Sequence, residues 1–211
     1  MYTLYGKNGS GSAAIEAALA IIGAPCRLVE TASWEQNDAY AELLKVNPLG
    51  QIPTFVLPDG SVLSESAAIL IHLGLAHPES GLLPRDASAQ AQAIRGLVFI
   101  AANCYAAISV IDYPERWCED ADEATQKRIR AGTRARLHQY WEMFSDLFPA
   151  RPYLGGNAIG ALDLHAAVVS KWSGSRAHLQ KARPMFYETL LRIEAHPKVA
   201  PVFAKHWPAT K

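Results

Sequence analysis

All the strand-like segments of this 211-residue chain lie within its first 64 residues. Four segments have the composition of strands: residues 1–5, 26–30, 54–57 and 61–64. Helical spacing of apolar residues fills the intervals, in an alanine-rich stretch that ends at Ile22, a short segment at 38–45 and a longer one at 65–76. The order strand, helix, strand, helix, hairpin, helix predicts a βαβαββα domain whose first two strands are parallel neighbours.

The segment Pro78–Asp86 separates this half from a different one, because it concentrates proline, glycine and other residues that interrupt regular structure. Beyond it we find only helical patterns, at 88–110, 120–148, 162–172, 184–195 and 199–206. The sequence therefore predicts an α/β domain followed by an all-helical domain. We place the first domain at residues 1–77, the linker at 78–86 and the second domain at 87–211.

Composition excludes several classes of function. The 20 basic side chains balance the 20 acidic ones, so no bulk charge attracts nucleic acid or an anionic membrane. The three cysteines, Cys26, Cys104 and Cys118, are far apart and odd in number, and the histidines form no HxxxH pair, so we expect neither a disulfide framework nor a metal site. Without a leader-like start or an apolar run of membrane length, we expect a cytoplasmic protein that does not enter membranes.

The most informative motif surrounds the predicted hairpin. Residues Asn47–Thr54 read N-P-L-G-Q-I-P-T before it, and Leu63–Ile69 read L-S-E-S-A-A-I after it. This pattern closely resembles the glutathione-binding half of soluble glutathione transferases, and the length, linker position and helical second half agree with that family across the chain. The resemblance is to the bacterial type, nearest to beta-like and theta-like members. It implies a thioredoxin-like first domain, glutathione as co-substrate, a homodimer and a role in detoxification.

The resemblance also implies how the tripeptide is held. In related proteins the proline matching Pro53 is cis, and the main chain of the preceding residue, here Ile52, pairs with the cysteinyl main chain of glutathione as one added strand residue. Ser66 is expected to hold the γ-glutamyl carboxylate at a helix N-terminus, and Glu65 the ammonium group. Gln51 belongs to the same predicted site. By itself S-E-S before a helix is an ordinary cap, but its position after the Ile-Pro step favours ligand binding.

The group that activates the glutathione thiol is expected in the loop after the first strand, where family members carry tyrosine, serine or cysteine. This loop reads Y-G-K-N-G-S-G-S from Tyr5 to Ser12 and contains no cysteine, which argues against the omega and typical beta types. Family spacing brackets Ser10, and Ser12 is the alternative, although a helix N-cap explains Ser12 equally well. Tyr5 is a weaker candidate that suits pocket lining, and Lys7 can add positive potential near the thiolate.

The second substrate is expected between the domains, over the glutathione sulfur. The segment 99–105 resembles the stretch of bacterial relatives that faces this cleft, but Asn103 and Tyr105 occupy positions that are charged or basic there. Tyr105 can therefore donate a hydrogen bond where a histidine would donate a proton. Tyr113 and Trp117 can extend an aromatic wall, although aromatic residues at helical spacing are more often core. The run Gly160–Asp163 resembles the family's capping box, with Asp163 as a folding residue.

Three functions follow from these residues. The leading hypothesis is a glutathione transferase that lowers the thiol pKa through Ser10 or Ser12 and adds the thiolate to a small hydrophobic electrophile. A second is glutathione-dependent disulfide reduction, for which Asn8 and the two serines offer amide and hydroxyl groups. A third is a transferase-like module that binds a ligand or a protein without turnover, because a fold does not guarantee activity.

Overall fold

The computed structural model describes residues 1–32 and 34–208. The first domain contains four strands and three helices in the predicted order: β1 (Tyr2–Gly6), α1 (Ser12–Ile22), β2 (Cys26–Glu30), α2 (Asp38–Val46), β3 (Thr54–Val56), β4 (Val62–Leu63) and α3 (Ser66–Ala76). The glycine after α1, Gly23, has φ 79°, and this left-handed residue ends the helix through an N–H to the carbonyl of Leu19. The βαβαββα prediction is confirmed.

The four strands form one mixed sheet in the order β2-β1-β3-β4. β1 and β2 are parallel, with Tyr2 opposite Cys26, and β3 is antiparallel to both β1 and β4. A parallel pair needs a crossover connection, which α1 supplies. This arrangement brings the loop after β1, the start of β3 and the start of α3 to one end of the sheet.

The second domain is built from helices, as predicted, with one isolated β-bridge between Tyr153 and Gly156 in the described part; residues 209–211 of the predicted domain lie outside that part. Its helices are α4 (Ala87–Phe99), α5 (Ala106–Asp112), α6 (Glu123–Leu147), α7 (Ala161–Val169), α8 (Ser175–Ala182), α9 (Pro184–Glu194) and α10 (Ala200–His206). The predicted helix at 88–110 is α4 and α5 joined by a π-helical segment, Ile100–Tyr105. Helix α8 was not predicted, because its sequence S-R-A-H-L-Q-K-A carries too few apolar residues to show a period.

The run from Ala87 to Asp112 bears on the expectation that the chain has no membrane-length apolar stretch. Its 26 residues are long and apolar enough, by length and composition alone, to cross a membrane, so that expectation was wrong as stated. The same test is passed by the core helix of a soluble domain, and the side chains of Leu97, Ile100 and Cys104 are fully buried inside this protein.

Apolar packing joins the two domains and fixes the linker between them. Leu82 and Leu83 are almost completely buried, and the carbonyl of Leu82 accepts the N–H of Ala161 at 2.8 Å. Gly74 of α3 lies so close to Leu83 that an added Cβ would be 2.5 Å from its Cγ. The linker is therefore part of the shared core and holds α3 against α4 and α7.

Helix α7 begins in the way that the capping resemblance implied. The buried carboxylate of Asp163 accepts N–H groups from Leu154 at 2.8 Å and from Gly160 at 2.9 Å. Burial nevertheless dominates over these main-chain hydrogen bonds and raises the pKa of Asp163 to about 6. Asp163 thus ties the preceding loop to the first turn of α7, as a folding residue.

Candidate functional site

A cavity of about 620 Å³ opens between the two domains, at the end of the sheet where the β1 loop and the start of α3 meet. The first domain contributes lining residues from the loops and the α3 N-terminus: Gly9, Ser10, Gly11, Trp34, Gln51, Ile52 and Glu65. The second domain contributes residues from the π segment, from α5 and the residue after it, and from the turn that follows α7: Ala101, Tyr105, Ala106, Ile108, Ser109, Asp112, Tyr113 and Trp172. The charged residues among them, Glu65 and Asp112, are both acidic.

Ser10 and Ser12, the two predicted thiol activators, take different positions. Ser10 lines the cavity, whereas Ser12 does not line it and is completely buried behind the loop. An added Cβ on Gly6 would lie 2.3 Å from the Cβ of Ser12, so Ser12 packs against β1. The two hydroxyl oxygens are 3.0 Å apart, and Ser12 Oγ also lies 3.3 Å from the carbonyl oxygen of Lys7. Ser12 can therefore reach the cavity only through Ser10.

Lys7 and Asn8 lie away from the cavity. The ammonium group of Lys7 is paired with Glu35 and lies 3.6 Å from Glu30. Hydrogen bonding to Glu35 is the main cause that raises the pKa of Lys7. Lys7 and Asn8 line a separate depression of about 240 Å³. The positive charge of Lys7 is therefore paired with carboxylates and does not face the cavity. Asn8 likewise lies apart from Ser10, the serine that lines the cavity.

A tight turn positions the residues before β3. The side chain of Asn47 donates to the carbonyl of Gln51 and, at 2.8 Å, to the hydroxyl of Thr54, and it accepts the N–H of Leu49. Gly50 has φ 60°, a left-handed conformation that an L residue adopts at a cost. The Ile52–Pro53 peptide is cis, as the resemblance implied. Within the described residues, the N–H and C=O of Ile52 form no hydrogen bond, so both are available at the cavity.

The predicted carboxylate and ammonium site lies at the N-terminus of α3. Glu65 precedes the helix with φ 66° and ψ 111°, which costs on the order of 1–3 kcal/mol for a residue with a side chain. Its exposed carboxylate lines the cavity, while Ser66 is buried in the first turn of α3. The Ser66 hydroxyl and Pro53 are both neighbours of Gly11, a cavity residue. Backbone strain at such a position is typical of functional sites.

Tyr105 projects from the π segment into the centre of this arrangement. A Cβ added to Gly11 would lie 2.5 Å from the hydroxyl oxygen of Tyr105, so only glycine leaves room for it. The ring packs against Trp172, with ring centroids 5.4 Å apart. Burial, together with the nearby charges of Glu65 and Asp112, raises the pKa of Tyr105 to about 12. Tyr105 is therefore protonated at neutral pH and can donate a hydrogen bond.

The structure places two of the four residues predicted to line the second-substrate pocket at the cavity, and the other two elsewhere. Tyr113 and Tyr105 line the cavity, but Tyr5 and Asn103 do not. Leu4 is buried in the core, and because side chains alternate along a strand, Tyr5 lies on the opposite face of the sheet. The amide of Asn103 donates to the carbonyl of Phe99 at 3.0 Å, so it is used within its own helix.

Sequence reasoning missed two aromatic residues of the cavity. Trp34 follows β2 in a polar loop, where no periodic pattern places it, and Trp172 lies just beyond α7. Trp117, which was expected in the wall, is 61% exposed and does not line the cavity. The signal that was available is the isolation of Trp34 and Trp172 among polar or small residues, which is unusual for core tryptophans. No group of three or more potential metal ligands occurs in residues 1–32 and 34–208.

Comparisons with known proteins identify the family of this chain. The family defined by the glutathione S-transferase N-terminal domain matches residues 1–74. An uncharacterised GST-like protein of Escherichia coli K12, YncG, is 33% identical over 174 residues, which cover 82% of each chain.

Two solved structures share the fold at low identity. A glutathione transferase homologue from Sulfitobacter with bound glutathione has a TM-score of 0.83 and 22% identity, covering 96% of each chain. A sphingomonad glutathione S-transferase complexed with glutathione has a TM-score of 0.80 and 23% identity, covering 98% of this chain and all of that one.

Proposed function

Because this chain belongs to the bacterial-type soluble glutathione transferase family, we propose that it binds glutathione in the cavity and conjugates its thiol to a small hydrophobic electrophile. One observation carries the proposal: Ser10, the main chain of Ile52 and the α3 N-terminus with Glu65 open onto the same cavity. Each of these groups suits a different part of the tripeptide. We also propose the domain limits 1–77, 78–86 and 87–211, a homodimer, a cytoplasmic location and a role in detoxification, as the family resemblance implies.

The N-terminus of α3 offers partners for both charges of the γ-glutamyl group. The α3 N-terminus carries the positive end of a helix dipole and the Ser66 hydroxyl, which suit a carboxylate. The Glu65 carboxylate beside it suits the ammonium group. The unpaired N–H and C=O of Ile52 suit the main chain of the cysteinyl residue, and the exposed side chain of Gln51 lies next to them. This pose directs the sulfur toward the loop after β1.

Ser10 is the proposed thiol activator. The hydroxyl of Ser12 can donate to the carbonyl of Lys7 or to the oxygen of Ser10, so it does not require the proton of Ser10, which can be donated to the sulfur. Helix α1 starts at Ser12 with no acidic residue in its first turn, so its dipole also favours the thiolate. The thiol proton leaves to solvent, and the thiolate attacks the electrophile without a covalent bond to the protein. Ser12 then serves as a supporting residue behind Ser10.

Tyr105 and the aromatic wall are the proposed site of the electrophile. Tyr105, Tyr113 and Trp172 offer flat apolar surface next to the proposed sulfur position, as a small hydrophobic substrate requires. The Tyr105 hydroxyl, whose pKa is raised to about 12, is protonated across the neutral and mildly alkaline range and donates to a leaving group or to a carbonyl of the substrate.

The test compares Ser10→Ala with Ser12→Ala. We expect Ser10→Ala to bind glutathione within about threefold of wild type, but to raise the pKa of the bound thiol by about 1–2 units, since a hydrogen bond to a charged group contributes about 1.5–3 kcal/mol. The bound thiolate is measured by its ultraviolet absorbance as a function of pH. Conjugation activity is measured with an aryl halide. Ser12→Ala should raise the thiol pKa less, because its hydroxyl reaches the sulfur only through Ser10.

The other outcomes select other functions. Normal glutathione binding without conjugation, but with reduction of a mixed disulfide, would replace the transferase by the reductase. Binding with neither activity would assign a binding module. A thiol pKa that is the same in Ser10→Ala and wild type would refute Ser10 as the activator.

A further inference from the structure

The loop that carries Ser10 is held in place by the last helix of the chain. The N–H of Gly9 donates to Nδ1 of His206 at 3.1 Å, across 197 positions of sequence. The other ring nitrogen of His206, Nε2, lies 2.8 Å from a carboxylate oxygen of Glu16 in α1, and Lys205 reaches the second oxygen of Glu16 at 2.7 Å. Gly9, His206 and Glu16 thus form a chain of hydrogen bonds that links the loop, α10 and α1.

Among the described residues, this is the hydrogen bond that ties residues 8–11 to a segment distant in sequence. Apart from it, the hydrogen bonds of residues 8–11 within the described chain stay inside residues 7–14. Gly9 has φ 77°, and a Cβ added to it would lie 3.8 Å from the carbonyl oxygen of His206 and 4.0 Å from the indole nitrogen of Trp207. Gly9, the neighbour of Ser10 in the loop, is therefore held against α10.

The chemistry of the ring fixes its orientation. Nδ1 accepts the N–H of Gly9, so it carries no proton, and Nε2 must carry one and donate it to Glu16. Burial raises the pKa of Glu16, but hydrogen bonds from His206 and Lys205 outweigh burial and hold it below its usual range. The side chain of His206 is inaccessible to solvent, so no water replaces either partner. Glu16 therefore fixes the orientation of the His206 ring, as a carboxylate does when it hydrogen-bonds a histidine.

We propose that His206, oriented by Glu16, is a positioning residue that holds the Gly9–Ser10 loop so that the Ser10 hydroxyl faces the sulfur of bound glutathione. The proposal rests on the proposed function for its kinetic consequence, but not for its structural one. It makes the C-terminal helix, which does not line the cavity, a part of the thiol-activating machinery.

The test uses two substitutions of His206, each of which keeps one of its two hydrogen bonds. In His206→Asn the side-chain oxygen lies near the place of Nδ1 and still accepts from Gly9. In His206→Gln the amide nitrogen lies near the place of Nε2 and still donates to Glu16, but Gly9 loses its acceptor. His196→Asn is the matched control, because Nδ1 of His196 also accepts a main-chain N–H, from Lys198 at 3.3 Å, at the turn before α10.

Two readouts separate this proposal from the proposed function. The first is hydrogen exchange of the Gly9 amide by NMR, which needs no substrate: we expect it to be at least about tenfold faster in His206→Gln than in wild type and His206→Asn. The second is kcat/KM for conjugation, which should fall about tenfold in His206→Gln with KM for glutathione unchanged, and stay within about threefold in His206→Asn and His196→Asn.

Each result has a definite meaning. Equal Gly9 exchange in wild type, His206→Gln and His206→Asn would overturn the proposal whatever the activity. Faster exchange with unchanged kcat/KM in His206→Gln would also overturn it, because the loop would then not position Ser10 for the reaction. Absence of any conjugation in wild type, with the expected pattern of hydrogen exchange, would refute the proposed function. It would still establish that His206 holds the Gly9–Ser10 loop.

Discussion

Replacing Gly11 by alanine tests whether the Tyr105 hydroxyl occupies the catalytic end of the cavity. Gly11 has φ −61° and ψ −16°, so alanine fits the backbone there without strain. The added Cβ would lie 2.5 Å from the Tyr105 oxygen, 3.3 Å from Pro53 and 3.4 Å from Ser66 Oγ. The last two contacts need shifts of a few tenths of an ångström at most, whereas the first is about 0.9 Å shorter than ordinary van der Waals contact.

The Tyr105 ring cannot absorb this shift freely, because it packs against Trp172 and the buried His165. Its hydroxyl is expected to move by about 1 Å toward the open cavity. A misplacement of that size costs on the order of 10²-fold in rate, so we expect kcat/KM for aryl halide conjugation to fall between about 10-fold and 100-fold. The free energy of unfolding should change by less than about 1 kcal/mol, since the displaced group moves into open space.

A double-mutant cycle with Tyr105→Phe identifies the cause. Phenylalanine lacks the oxygen that the new Cβ meets, so Gly11→Ala should cost little activity in the Tyr105→Phe background. The assay is kcat/KM at saturating glutathione, with urea unfolding of all four proteins. Full activity of Gly11→Ala, or an equal loss in both backgrounds, would refute the placement of the hydroxyl.

Three further predictions concern the aromatic wall, a buried carboxyl and the linker. Trp172→Ala should raise KM for the aryl halide about tenfold while glutathione affinity stays constant, whereas the exposed Trp117→Ala should change neither, as steady-state kinetics will show. Asp163 has a pKa raised from 3.8 to about 6, so the stability it contributes is complete below about pH 4 and is lost as the pH rises through 6. The unfolding free energy of wild type relative to Asp163→Asn should therefore fall by about 1.4 kcal/mol between pH 5 and pH 8 in urea titrations, and a constant difference would contradict the raised pKa. Leu82→Ala should cost about 2–5 kcal/mol of unfolding free energy, against less than about 0.5 kcal/mol for the exposed Leu75→Ala; equal losses would refute the buried linker.

The predictable parts of the fold are those that short stretches of sequence determine. Strand β2 occupies Cys26–Glu30 as predicted, because Gly23 and Pro25 mark its start and the apolar composition marks its length. The π segment was not predictable, since one extra residue in a helical turn leaves the apolar spacing of 88–110 almost unchanged. That segment nevertheless decides that Tyr105 faces the cavity and Asn103 does not.

Part of the candidate site was likewise predictable from local sequence, and part of it was not. Gln51, Ile52 and Glu65 follow from the two motif segments on either side of the hairpin, and all three line the cavity. The choice between Ser10 and Ser12 required knowledge of which side of the loop packs on β1, and spacing alone carries no such information. Nothing in the sequence indicated that His206 belongs to the site, because its partner Gly9 is 197 positions away and only the folded chain brings them together.

Calorimetric titration of glutathione into wild type, Ser66→Ala and Glu65→Gln tests the central claim most directly, with Ser61→Ala of the hairpin as the matched control. Ser66 and Glu65 each offer a charge-assisted hydrogen bond to the γ-glutamyl group, worth about 1.5–3 kcal/mol. We expect wild type and Ser61→Ala to bind alike, and each of the other two variants to bind about 10-fold to 100-fold more weakly. No binding of glutathione to wild type at millimolar concentration, or equal affinity in all four proteins, would contradict the assignment of this cavity.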